Sequence, residues 1–272
     1  MGSRPGAVPD RGPDRGPDRS PEISFVLPAH DEQALLPRTL AALRTAAETA
    51  LVPRGLEWEV IVADDASTDR TAELARAAGA RVVSVNKRQI AGTRNAGAAA
   101  ARGDLLVFVD ADTLVGHEVL TAALEALEAG AVGGGARTRF DDRVPRHMLA
   151  LGLFIAWLME RLRFASGCFV FCRRADFEAV GGFDETLYAS EEIRLSRALA
   201  RRGRFVVLPL AVRTSGRKAR THSVRDLLAL LWLCIRLGPR ALTRREGLEL
   251  WYGARRPDPG AERPSRATDA GG

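Results

Sequence analysis

Four short apolar runs, at residues 23–27 (ISFVL), 58–63 (WEVIVA), 81–85 and 105–109 (LLVFV), alternate with stretches of helical spacing, and this alternation limits the folds open to the chain. A short apolar run such as 23–27, closed by Pro28, predicts a buried strand, and the other three are read as strands with it. Between them, Leu35, Leu36, Leu40, Leu43 and Ala47 form one helical stripe reaching about residue 50. A second helix is expected to about residue 78 with Asp69 as its cap, and a third over 93–101. Strands and helices in this order imply right-handed crossovers and a mainly parallel α/β sheet flanked by helices. Ligands of such sheets bind beyond the carboxyl ends of the strands. The polar loops after the first, second and fourth strands therefore gather at one edge. The first strand is expected to close at Pro28 and the second to end in the loop DDASTD.

From about residue 130 the pattern changes. A strand is expected over 131–140, an apolar helix over 148–162, a strand over 167–172, a helix over 190–202 with Ser190 as N-cap, and a strand over 205–208. These read as a second subregion packed on the first. The expected organisation is a core at 22–210, made of a first half (22–113) and a second half (114–210). A helical extension follows at 211–255. The segments 1–21, with the repeat RGPDRGPDRSP, and 256–272 have nothing to bury and are expected to be disordered tails.

Forty Lys+Arg against thirty-four Asp+Glu give a net charge of +6 and a sequence pI near 10.0. Lysine occurs only at Lys87 and Lys218 and arginine is spread throughout, without the single basic stripe of a nucleic-acid reader; no nucleic-acid partner is expected. The three cysteines, Cys168, Cys172 and Cys234, form no CxxC pair, which points to a reducing compartment. No leading apolar segment and no apolar run of bilayer-spanning length are seen, so a cytoplasmic location is expected.

The chemistry lies in the loops. In Asp110-Ala111-Asp112, carboxylates two apart on an extended segment converge on one divalent cation of Mg²⁺ or Mn²⁺ type. Asp64 and Asp65 end the second strand, where one carboxylate can accept a nucleobase N–H while the other serves as a turn or cap residue. Arg94, in AGTRNAG at a helix start, is placed for a phosphate. Glu191 and Glu192 open a helix; the dipole favours them there, and one can also take a proton from an attacking hydroxyl. Arg217 and Lys218, in a loop SGRK, are suited to closing over a diphosphate. His222 is a candidate third metal ligand, or simply a loop histidine.

Together, VLPAHDE (26–32), VIVADDASTDRT (60–71), AGTRNAG (91–97), LLVFVDAD (105–112), GGFDE (181–185) and SEEIRLS (190–196) resemble the family-2 glycosyltransferases of the GT-A fold, in that family's order. The resemblance implies a Rossmann-like sheet and a nucleotide-diphosphate sugar as donor, UDP- or GDP-linked. It implies that Pro28, Ala29 and Glu32 line the nucleoside pocket, that Asp65 reads the base with Asp64 in support, and that Arg94 lies close to the nucleotide. Asp110 falls near the ribose and the metal, Ala111 within the nucleotide-sugar site, and Asp112 binds the metal directly, with 22–113 the nucleotide-binding half and 114–210 the acceptor-side half. Asp184 falls near the sugar, and the family's ED pair falls on Glu191 and Glu192, making Glu192 the base. This chain has Glu at 192 where Asp is usual, and Arg194 where the family often has Asp.

The implied reaction is metal-dependent transfer of the sugar to an acceptor hydroxyl with inversion, in polysaccharide, glycolipid or cell-envelope synthesis. The acceptor is unidentified, a lipid-linked one being attractive. Peripheral contact with the inner membrane face would use residues 224–238, a stretch whose short length favours a core or subunit-contact helix. The competing classes are a non-catalytic nucleotide-sugar-binding or scaffold protein and a nucleotidyltransferase. A dehydrogenase would need a glycine-rich first loop, where this chain has PAHDE. An aspartate-nucleophile phosphatase would leave DDAST and SEEIRLS unexplained.

Overall fold

The structure, a computed structural model, describes residues 21–140, 144–145, 149–150, 157, 161, 164–221, 226, 232, 242–248 and 252. The first part of the chain alternates β1 (Ile23–Ala29), α1 (Leu36–Leu51), β2 (Trp58–Asp65), α2 (Thr71–Ala77), β3 (Arg81–Val85), α3 (Ile90–Ala100) and β4 (Leu105–Val109). There follow β5 (Thr113–Leu114), α4 (His117–Glu128), β6 (Gly133–Phe140), β7 (Phe169–Arg173), α5 (Arg174–Ala179), α6 (Glu191–Arg202), β8 (Phe205–Thr214) and α7 (Arg217–Thr221).

One sheet runs through both parts in the order β3-β2-β1-β4-β7-β6-β8-β5. β3, β2, β1 and β4 are parallel, as helical crossovers require. Beyond β4 the sheet is mixed: β7 is antiparallel to both β4 and β6, β8 is parallel to β6, and β5 is antiparallel to β8. Strand side chains alternate between faces, and both faces are covered. Ile23, Phe25 and Leu27 of β1 enter a core with Leu36, Leu40 and Leu43 of α1 and Leu120 and Leu124 of α4. Val26 enters a second core on the opposite face with Ala91 and Ala98 of α3 and Leu195 and Leu199 of α6. At Gly97 a Cβ would overlap Val26 of β1, so glycine lets α3 settle closely on the sheet.

Several boundaries differ from the sequence reading, each for a local reason. β1 continues through Pro28, which lacks an N–H, because the ladder to β4 has already ended at Val26 and Phe108 and only β2 remains alongside. β2 runs on through Asp64 and Asp65, which pair with Ser84 and Val85 of β3. α3 starts at Ile90, so Arg94 lies inside the helix rather than at its start. Asp69 accepts the Thr71 N–H at 2.9 Å from just outside α2, whose N-cap position is Arg70. Ser190 occupies the N-cap position of α6 with φ 64° and without a side-chain cap bond. β8 extends to Thr214, so the expected helical extension from 211 begins as strand. SGRK is not all loop, since Arg217 opens α7.

Of the expected helix at 148–162, Leu149, Ala150, Trp157 and Arg161 are described and helical. The stretch 224–238 is described only at Asp226 and Trp232, the latter helical and exposed. The expected tails, His222 and Cys234 lie outside the described residues. Among the described residues, no helix is long and apolar enough to cross a membrane. Cys168 and Cys172 are buried free thiols. Burial pushes Cys168 up to about 11 and Cys172 higher, so neither is a nucleophile at neutral pH.

Candidate active site

A cavity of about 410 Å³ opens beyond the carboxyl ends of β1, β2 and β4. Of the residues singled out in the sequence, Pro28, Ala29, Glu32, Asp65, Asp110, Ala111, Asp112 and Arg217 line it. His30, Asp31, Arg88, Gln89, Thr93, Arg245 and Tyr252 also line it, and no motif pointed to a role for them. The loops after β1 and β2 are laced together to form its floor. The Asp31 N–H donates to Ser67 Oγ (2.9 Å), the Glu32 N–H to Thr71 Oγ1 (2.8 Å) and the Gln33 N–H to Asp69 Oδ2 (3.0 Å), while Asp31 Oδ1 accepts the Thr68 N–H (2.7 Å). The polar run STDRT is thus spent largely on holding HDEQ in place.

Adjacent strand residues point to opposite faces, and this separates the aspartate pair. Asp65 reaches the cavity and Asp64 does not; Asp64 Oδ1 is buried without a hydrogen-bond partner among the described residues. Asp65 accepts four donors: the N–H groups of Lys87 (2.8 Å), Arg88 (2.9 Å) and Gln89 (3.0 Å), and the Thr93 hydroxyl (2.8 Å). A carboxylate has about four acceptor positions. Its capacity is therefore used in shaping the loop before α3, which runs against the expected base-reading role.

Arg94 is not a surface cation awaiting phosphate. It is 2% exposed, and its guanidinium donates to Glu191 Oε1 (2.6 Å), Asp110 Oδ1 (2.8 Å) and the Gly167 carbonyl (2.8 Å). Burial opposes its charge, and Asp110 and Glu191 outweigh that, raising its proton affinity. Gly167 packs closely against the cluster: a Cβ there would come within 3.3 Å of Arg94 Nη2, which would have to give by a few tenths of an ångström. The two glutamates are thereby differentiated. Glu191 pairs with Arg94 at 2.6 Å. Glu192 is pushed up to about 7, by burial first and then by the charge of Glu191, which suits a group that exchanges a proton near neutrality. Neither glutamate lines the cavity; Arg94 links them to its wall through Asp110.

Asp110, Ala111 and Asp112 form a turn rather than an extended segment, closed by the Thr113 N–H to the Asp110 carbonyl at 3.0 Å. Both carboxylates still reach the cavity. Asp112 Oδ1 accepts from the Thr214 hydroxyl at 3.3 Å, and Asp112 Oδ2 lies 3.9 Å from Arg217. Arg217 itself makes a two-pronged ion pair with Glu32, at 2.9 and 2.6 Å, so α7 is pinned to the loop after β1. Both groups line the cavity, but each is already engaged there: Glu32 holds a guanidinium, and Arg217 is paired with carboxylates. Lys218 follows on α7. Asp184 does not line the cavity; it pairs with Arg194 (2.7 Å) and accepts the N–H and hydroxyl of Thr186. GGFDE is instead tied to α3 by Asn95, whose amide bonds both the N–H and the carbonyl of Phe183 at 2.9 and 2.8 Å.

A mixed sheet whose parallel half ends in a carboxylate-lined cavity, with an acidic helix start beside it, is the arrangement of the GT-A fold. The family described as glycosyl transferase family 2 matches residues 24–181, and the chain belongs to it. The 4,4'-diaponeurosporenoate glycosyltransferase of Staphylococcus haemolyticus is 38% identical over 112 residues, covering 39% of this chain and 27% of that protein. The undecaprenyl-phosphate 4-deoxy-4-formamido-L-arabinose transferase of Edwardsiella ictaluri is 34% identical over 119 residues, covering 40% of this chain and 34% of that protein. The match thus spans a minor part of these curated relatives. Among solved structures, the mannosyltransferase PcManGT of Pyrobaculum calidifontis, in complex with GDP-Man and Mn²⁺, aligns with TM-score 0.60 and 22% identity over 89% of this chain and 72% of that one. Glucosyl-3-phosphoglycerate synthase of Mycobacterium tuberculosis, in complex with Mn²⁺ and UDP, aligns with TM-score 0.52 and 25% identity over 88% of this chain and 82% of that one.

Proposed function

We propose that this chain transfers a sugar from a nucleotide-diphosphate sugar to an acceptor hydroxyl, with inversion at the anomeric carbon. The observation carrying this is one juxtaposition. Asp110 and Asp112 stand on the wall of a cavity at the strand ends, and Arg94 ties that wall to the helix start bearing Glu191 and Glu192. A donor of this class, GDP-Man, and a nucleoside diphosphate that such transfer would release, UDP, are named for the solved relatives.

A divalent cation fits the donor set. Among the described residues no group of three or more His, Cys, Asp or Glu could hold a metal, but Mg²⁺ and Mn²⁺ take one or two carboxylates and draw the rest from phosphates and water. Asp112 and Asp110 would hold it, and when bound it would neutralise charge on the departing diphosphate. The chain's own residues do the remainder. Glu192 takes the proton of the acceptor hydroxyl, its raised affinity matching that task. Glu191, neutralised by Arg94, keeps α6 in register with the cavity.

The acceptor in this reading is carried on a lipid, as the undecaprenyl-phosphate named for one relative suggests, and residues 224–238 would meet the membrane surface. A second reading, binding without turnover, draws on the guanidiniums of Arg94 and Arg217 already paired with Asp110, Glu191 and Glu32. One assay separates them: release of nucleoside diphosphate from a panel of UDP- and GDP-sugars with Mn²⁺. Turnover that Glu192→Gln abolishes is expected; nucleotide-sugar binding with no release would establish the second reading.

A further inference from the structure

The arginines that the sequence offered for a diphosphate are spent elsewhere, which raises the question of which cations face the cavity uncompensated. Arg94 is committed to Asp110 and Glu191, and Arg217 to Glu32 with Asp112 nearby. Two further guanidiniums line the cavity, Arg88 and Arg245, and neither forms a salt bridge with a carboxylate among the described residues. Both are held in place. Arg88 sits in the left-handed region at φ 50°, a conformation costly for arginine, and its Nη1 donates to His30 Nε2 at 2.8 Å. Arg245 lies over the ring of Tyr252, 5.6 Å from its centroid, and its Nη2 donates to the Tyr252 carbonyl at 3.3 Å.

Tyr252 is itself anchored. Its hydroxyl accepts the Ile90 N–H at 3.3 Å, and its ring meets Tyr188 edge-on at 5.5 Å. The Tyr188 N–H donates to the Leu242 carbonyl at 2.7 Å, and Leu248 is fully buried. A segment 61 residues or more beyond the family match at 24–181 thus supplies a cavity wall carrying a cation.

We propose that Arg88 and Arg245, the latter presented by Tyr252, bind the diphosphate of the donor nucleotide. This rests on the reading of the cavity as the donor site. Guanidiniums pair with phosphate oxygens through short charge-assisted hydrogen bonds, and a partner carboxylate would cancel that attraction; among the described residues these two arginines have none.

The test is isothermal titration, in EDTA so that no metal contributes, with UDP and GDP and, by competition, uridine and guanosine. The variants are R88A, R245A, R245K and Y252A, with melting curves to confirm folding. Loss of a charge-assisted pair predicts that R88A and R245A each weaken the preferred diphosphate by roughly tenfold or more, with nucleoside affinity unchanged. R245K retains part of the affinity, and Y252A behaves as R245A does because the platform is gone. Diphosphate affinity equal to wild type in both alanine variants overturns the assignment, as does an equal loss for nucleoside and diphosphate, which would make the arginines part of the base pocket. If the wild-type protein binds neither nucleotide even when the titration is repeated with Mn²⁺ in place of EDTA, the donor-site reading falls as well, an outcome distinct from the other two.

Discussion

Arg94 Nη1 meets Glu191 Oε1 at 2.6 Å, joining α3 to α6 where both side chains are almost wholly buried. The same guanidinium reaches Asp110 on the cavity wall, so one cation balances two carboxylates from elements far apart in sequence. Removing one partner of such a group strands charge in a poorly solvated place. Arg94→Met should therefore cost about 3–5 kcal/mol of unfolding free energy. Glu191→Gln, whose amide oxygen still accepts from Arg94, should cost much less. Urea denaturation of the two variants checks the order, and the reverse order would refute this account of the cluster.

Glu192 is held at about 7 by burial and by Glu191. As the base it must be ionised, so turnover should rise with pH through about 7, and Glu192→Gln should lose turnover far more than donor affinity. Stability has the opposite dependence. A carboxyl whose folded affinity exceeds its unfolded one binds more protons when folded between about 4.5 and 7, so the wild type loses stability as pH rises through that window. The Gln variant lacks this loss and should be the more stable above pH 7, by roughly 3 kcal/mol. Below about pH 4.5 the difference should vanish. Parallel denaturation curves at acid and alkaline pH decide it.

Asp65 carries three backbone N–H groups and the Thr93 hydroxyl. Asp65→Asn turns one acceptor oxygen into a donor facing N–H groups, with an expected loss of about 2–4 kcal/mol. Nucleotide affinity should fall for UDP and GDP alike, because the loop is lost rather than one base contact. A shift in preference between the two nucleotides, with melting temperature unchanged, would restore the base-reading role.

Asp112 is the carboxylate best placed for a cation, with one oxygen on Thr214 and the other 3.9 Å from Arg217. Asp112→Ala should remove the Mn²⁺ dependence of sugar transfer together with most of the activity, while the fold persists. Chelation of the wild-type enzyme by EDTA should have the same effect and be reversed by Mn²⁺. Full activity of the variant would sink the metal assignment.

Glu32 and Arg217 form a two-pronged pair across 185 residues, fastening α7 to the loop after β1. A double-mutant cycle with Glu32→Gln and Arg217→Met should yield a coupling of about 1–3 kcal/mol, because each single change leaves a largely buried charge behind. Strictly additive effects would show that the pair does not hold α7.

The order of the elements was legible because burial periodicity is a local property. The runs at 23–27, 81–85 and 105–109 fall within β1, β3 and β4, and α1 follows its leucine stripe. The C-terminal boundaries were less legible. β8 outruns its apolar stretch because pairing with β6 continues to Phe140 and Thr214, beyond a register shift at Ala136 and Arg137. DAD and PAHDE both line the cavity, since strand-end loops must gather at one edge. Arg245 and Tyr252 had no such signal, as Tyr252 reaches Ile90 across 162 residues through packing alone.

Residue order by itself determined the strand–helix alternation, the edge at which polar loops collect and hence the family, for these follow from side-chain spacing along the chain. Tertiary structure alone decided which charges are committed to the protein and which face the cavity. Asp65 is saturated by a loop more than twenty residues on, Arg94 by Asp110 and Glu191, and Arg217 by Glu32. An acceptor's remaining capacity depends on the donors that folding brings within hydrogen-bond distance, a quantity that linear spacing does not contain.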